Sequence, residues 1–199
     1  MRGLLLDRGI AFAQSITRAR REILAVLEGD AAEISELFRS MLAQLYSIFR
    51  TLDERISWFD REIEKVFRSN DTCRRLAKIR GVGPKTATAI IAAVGDGSDF
   101  TNGRHLAAWM GLVPRQHSSG NRQRIFGISK RGDRHLRTLL IHGARAVVRT
   151  STARNDTQAT WIRELQARRG AAKTIVAVAN KNARIIFAML KAGTEYRAV

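Results

Sequence analysis

The sequence predicts a mainly α protein, in which one long coiled-coil-like helix leads into a helical domain with a glycine hairpin and an irregular serine-bearing loop. Three observations predict it. Apolar residues recur in steps of three and four from Ile34 to Val66 with no proline or glycine between them. The stretch LAKIRGVGPKTATAIIAAVG, Leu76–Gly95, sets Gly-X-Gly-Pro between two apolar helical patterns. Beyond it helical periods dominate except over Gly111–Ser129, where glycines, Pro114 and polar residues break any period.

Taken in order, residues 1–29 read as one or two short helices, with a polar break near Asp30. Residues 30–70 hold the seam, with apolar side chains at 34, 38, 41, 45, 48, 52, 56, 59, 63 and 66. A helix of that length is about 50 Å long at 1.5 Å per residue. It either packs on its own domain or holds two protomers or two domains apart. Residues 71–199 form the third part. Asp133 stands where an N-cap belongs, ahead of Leu136, Leu139, Leu140, Ala144 and Val147 on one face. Arg134, Arg137, Arg145 and Arg149 fall off that stripe. Further helices are expected over Asp156–Arg168 and Ala172–Lys191, and Gly111–Ser129 reads as a loop with a short strand pair around Gln123–Ile128.

The net charge is +17, and it is unevenly placed. Residues 1–29 balance at +2 and residues 30–70 at −2, so the whole excess lies beyond residue 70. Such a field attracts a polyanion, and counterion release drives its binding. A single cysteine, Cys73, excludes a disulfide framework and a cysteine-rich zinc site. The four histidines show no metal-motif spacing, and Asp96 and Asp99 in GDGSDF read as turn and cap residues. No metal ligands are assigned. No apolar run reaches membrane-span length and no signal-peptide pattern opens the chain, so a cytoplasmic protein is expected.

In Leu76–Gly95 a short helix ending near Arg80 is followed by the turn Gly81-Val82-Gly83, and Pro84 suits the first turn of the next helix. This is the pattern of a helix-hairpin-helix. Gly81, Val82, Gly83, Lys85 and Thr86 are the residues expected at a DNA phosphate, chiefly through main-chain N–H groups and the second helix's N-terminus. An ordinary tight corner in a core is the alternative. The loop PRQHSSGNRQRIFGISKRGD, Pro114–Asp133, packs Arg115, Arg122, Arg124, Lys130 and Arg131 around two serines. Lys130, Arg131, Arg134 and Arg137 are expected to bind DNA. The serines are either solvated turn residues or a hydroxyl held where a phosphate arrives.

The order IRGVGPKTATAIIAAVGD, FTNGRHLAAWMGLVPRQHSSGN, ISKRGDRHLRTLLIHGARAVVR closely resembles the C-terminal transposase domain of the IS one-ten insertion-sequence family, in its eleven-eleven branch. The resemblance runs from about Leu76 to Arg149. It implies a DNA recombinase guided by a structured RNA, acting on element ends and target DNA. It further implies that Ser119, just before Gly120, is the nucleophile, with Ser118 the fallback and His117, Arg115, Arg122 and Arg124 as support. The heptad seam falls where the family has its coiled coil, and a homo-oligomer through 34–66 is expected.

The resemblance also implies a RuvC-like domain with an acidic DEDD tetrad ahead of the coiled coil. Met1 opens almost at the seam, and Asp7, Glu22 and Glu28 cannot supply that tetrad. The expectation is therefore a C-terminal part of a transposase, inactive alone. Magnesium is expected only through the missing acidic domain and no cofactor on this chain. The alternatives are a non-catalytic, structure-selective DNA-binding module, or a dominant-negative regulator that pairs with a full-length copy.

Overall fold

A computed structural model describes residues 1–11, 15–29, 34–119 and 122–196. The chain is mainly α, as predicted, and divides into two compact units, Met1–Arg61 and Glu62–Val199. The break expected at Asp30 lies outside the described residues.

The first unit holds α1 (Arg2–Leu6), α2 (Ile16–Glu28) and most of α3 (Glu36–Ser69). Its small core gathers Leu5, Ile23, Ile34, Phe38 and Leu42. Arg8 lies over the Phe38 ring at 4.2 Å, and Arg20 pairs with Asp53 at 2.6 Å. The 34-residue α3 realises the long helix predicted from the seam. That seam divides in the structure. Of its positions Ile34 and Phe38 turn inward, joined by Leu42 from beside the seam, while Met41, Ile48, Leu52, Ile56, Phe59 and Val66 are exposed, as is the neighbouring Leu37. Periodicity places a stripe on a helix but does not say which neighbours reach it.

In the second unit α4 (Asp71–Leu76) is capped by Asn70, whose side chain accepts from the Cys73 N–H. The helix ends at Leu76, not near Arg80. From there the chain tightens into i to i+3 bonds, Ile79 N–H to Leu76 and Val82 N–H to Ile79, each 3.0 Å. This tightening carries both Ile79 and Val82 into the core. Helix α5 (Pro84–Val94) starts on Pro84, and α6 (Gly103–Trp109) is capped by Asn102, which accepts from the N–H groups of Arg104 and His105.

The expected loop is a regular hairpin, β1 (Pro114–Ser119) and β2 (Arg122–Ile128), paired antiparallel. Ser119 pairs with Arg122 and His117 with Arg124. One extra residue on β2 makes a bulge, with Phe126 and Gly127 set against Arg115. Helix α7 (Arg134–Thr150) is capped as predicted, Asp133 accepting from the Leu136 N–H at 2.8 Å. Helices α8 (Thr157–Arg169) and α9 (Ala171–Ala192) complete the unit. Leu76, Ile90, Leu106, Leu140, Val178 and Ile186 from these helices share one core.

Two close approaches fix this unit's loops. Gly81, at φ 84°, packs backbone to backbone on Gly143 of α7. Gly132, at φ 87°, lies equally tightly on the end of α6. Arg80 adds a tie from the α4–α5 turn to α8, donating to both Asp156 oxygens at 2.8 Å, while Asp156 also caps α8. The Arg80 hydrogen bond, with that from the Ala159 N–H, lowers the Asp156 carboxyl to about 2. A depressed carboxyl stabilises the fold above its unfolded value of about 3.9 and loses that effect as pH falls through the folded value. Thermal melts of the wild type should therefore lose stability between about pH 4 and pH 2. Asp156→Asn, which keeps a capping side chain, should be less stable at pH 7 and show a shallower fall.

Candidate nucleic-acid interface

A groove of about 2510 Å³ opens on the second unit. Its walls come from four helices and the hairpin, and each supplies charge or shape for a reason visible in the sequence. Helix α9 contributes Lys173, Lys181 and Arg184, spaced so that they share a face with the small residues Ala172, Ala177 and Ala188. The opposite face of α9 carries Val178, Ala179, Ala183 and Ile186 into the core. Small residues between cations let a bulky anion approach the helix closely. Helix α7 adds Arg134, Arg137 and Arg145, while α6 and α8 add Arg104 and Arg169. Lys130 stands where β2 leads into α7.

Nine lysines and arginines thus line the groove, and no aspartate or glutamate does among its described residues. Gathering like charges without a counter-ion destabilises the folded chain, so the arrangement suits an anionic ligand. The Lys181 ammonium also lies 4.5 Å over the Trp161 ring, which holds both at the groove wall.

The residues singled out by sequence are placed unequally. Lys130, Arg134 and Arg137 line the groove, and Arg131 is exposed beside it in the chain. Arg137 has a second task, since its guanidinium donates to the Met110 carbonyl at 3.1 Å and steadies the end of α6. Lys130 adopts φ 54°, a left-handed conformation costing an ordinary residue about 1–2 kcal/mol, and its N–H donates to Gly111 O at 3.2 Å. A glycine would take that position without this strain.

In the hairpin, Arg115, His117 and Arg124 are exposed, and the His117 ring meets Phe126 edge-on at 5.5 Å. Ser118, Ser119 and Arg122 have described backbones within the strands, while their side chains and Gly120 lie outside the described residues. At the α4–α5 turn, Val82 and Thr86 are buried and Gly81 is packed on α7. Any contact that turn makes with a ligand therefore runs through its main chain and Lys85 at the start of α5.

Sequence reasoning left Arg104, Arg169, Lys173, Lys181 and Arg184 out of the site. On α9 the signal was present, because Lys173, Ala177, Lys181, Arg184 and Ala188 recur at helical spacing opposite the apolar stripe. For Arg104 and Arg169 no local signal exists. Among the described residues no group of three or more His, Cys, Asp or Glu is placed to hold a metal ion. No described helix is long and apolar enough to cross a membrane.

Residues 73–159, which include the α4–α5 turn, the hairpin and α7, match the family model described as Transposase IS116/IS110/IS902 family. Over 99% of its length the chain is also 42% identical to the transposase for insertion sequence element IS1111A of Coxiella burnetii. The chain is thus similar to transposases of the IS116/IS110/IS902 family. It is likewise 43% identical, again over 99% of its length, to a protein of Pseudomonas aeruginosa named probable family 20 transposase. A shorter match, 42% identical over 74 residues, reaches 36% of this chain and 22% of the pilin gene-inverting protein of Moraxella bovis. The chain spans about half the length of the curated relatives it matches, 54% of the Coxiella protein and 59% of the Pseudomonas protein.

Proposed function

We propose that this chain is the DNA-engaging part of an insertion-sequence transposase, acting in DNA transposition, and that its groove holds element-end and target DNA. The observation that carries the reading is the nine-cation groove free of described carboxylates, with the serine-bearing hairpin as one wall. The α4–α5 turn acts as a helix-hairpin-helix that adds a backbone contact to a further phosphate. The same surface suits a structured guide RNA, whose phosphates present the same charge.

Ser119 is proposed as the nucleophile. Its hydroxyl oxygen attacks phosphorus, an Oγ–P bond forms and the P–O bond to the neighbouring nucleotide breaks. The leaving oxygen keeps the electron pair and takes a proton, and the hydroxyl proton passes to a base. Exchange of one phosphodiester for another conserves bond energy, so DNA waits on the protein until a second strand displaces it. Arg115, Arg122 and Arg124 are available to offset charge at phosphorus, and His117 to move a proton. No group of three or more His, Cys, Asp or Glu among the described residues is placed to hold a metal ion. In this reading the carboxylates of a metal-dependent step come from a further domain, so this chain alone is expected to be inactive.

The exposed stripe of α3, from Leu37 through Phe59, supports pairing with a second copy. Pairing with a longer copy would make the isolated chain a dominant-negative regulator.

Ser119→Ala tests the nucleophile. With nicked element-end DNA and the acidic domain supplied, wild type should leave a protein–DNA adduct resistant to denaturant. The alanine variant should leave none, with DNA affinity within about twofold of wild type. An adduct formed by the variant would reject Ser119; no adduct from either protein would favour a non-catalytic, structure-selective binding module.

A further inference from the structure

We infer that Ile125 and Phe126 form an apolar wedge that contacts unstacked bases, so that the groove prefers locally opened DNA over continuous duplex; this rests on the DNA-binding reading above. Ile125 is 70% exposed and Phe126 46% exposed, although both are large and apolar. Neither joins either apolar core of the described residues. Both line the cationic groove, on the wall made by the hairpin.

Their local structure is specific. The β2 bulge falls on Phe126 and Gly127, and a bulge bends its strand and re-aims the side chains on it. The His117 ring packs edge-on against Phe126 at 87°, which restricts the phenyl ring without covering it. Phosphate binding alone uses cations and main-chain donors and gives no reason to expose an isoleucine and a phenylalanine between them. Base faces give one, because apolar and aromatic side chains inserted between base steps replace stacking that the nucleic acid gives up. A protein partner fits less well, since Lys130, Arg134 and the other groove cations surround the wedge with a single sign of charge.

The test uses the full chain and two synthetic DNAs of one sequence, a continuous duplex and the same duplex with a three-nucleotide bubble containing 2-aminopurine. Wild type should bind the bubble roughly tenfold more tightly and change the 2-aminopurine fluorescence. An Ile125→Ser, Phe126→Ser double variant should fold normally, because both side chains are exposed, and a thermal melt checks this. It should bring the affinity ratio close to one, remove the fluorescence change and alter duplex affinity by less than about threefold. Equal wild-type affinity for the two DNAs would overturn the wedge and leave the groove intact. A variant weakened equally on both DNAs, or one that changes oligomeric state in light scattering, would also overturn it, the latter by making the hairpin a protein interface. No binding to either DNA would overturn the groove reading together with the wedge.

Discussion

Replacing Arg145, Lys181 and Arg184 together by glutamine should weaken DNA binding about 100-fold near 0.15 M salt, with the fold unchanged. All three side chains are exposed and line the groove, so their loss removes charge without opening the core. A phosphate contact contributes through the counterions it releases, with a slope of about 0.9 per contact against log salt. Three contacts therefore amount to about two decades at this salt concentration. The control is removal of three exposed arginines of α3, Arg50, Arg55 and Arg61, which lowers net charge equally. If charge acts only as a diffuse field, the two triple variants should weaken binding alike. The groove reading expects the α3 variant to stay within about twofold of wild type. Titration of a labelled duplex by fluorescence anisotropy decides between them.

The second large effect concerns the fold. Gly143→Ala should destabilise the second unit by about 3 kcal/mol. A β-carbon at 143 would overlap the Gly81 carbonyl oxygen and lie 2.7 Å from its carbon. Neither partner can yield cheaply, because both are backbone: one lies in mid-helix, the other in a turn at positive φ. The substitution should therefore push the α4–α5 turn away from α7. Gly127→Ala is the matched control, since a β-carbon there meets nothing within 4 Å, and its effect should stay within about 0.5 kcal/mol. Urea unfolding followed by circular dichroism measures both. A stable Gly143→Ala protein would mean that the two backbones are not in contact.

Much of the fold was legible because helices announce their ends. Asp133 capped α7 where expected, and Pro84 marked the start of α5. The hairpin was harder, because PRQHSS has no alternation of apolar and polar residues and none of the described side chains of its strands joins the core. The long helix was visible as a period, but which part of its stripe is covered depends on α1 and α2, and no residue of α3 encodes that alone. The site was half legible. Lys130, Arg134 and Arg137 stood in one basic run, while Arg104, Arg169, Lys173, Lys181 and Arg184 converge only through packing of α6, α8 and α9.

The measurement that bears most directly on the groove is the salt dependence of DNA affinity for wild type and the Arg145, Lys181, Arg184 triple variant, side by side. If these side chains meet phosphates, log affinity should fall steeply with log salt for wild type, and the variant's slope should be shallower by about two to three units. Parallel lines, displaced or superimposed, would mean that DNA does not contact these three side chains and would contradict the assignment of the groove.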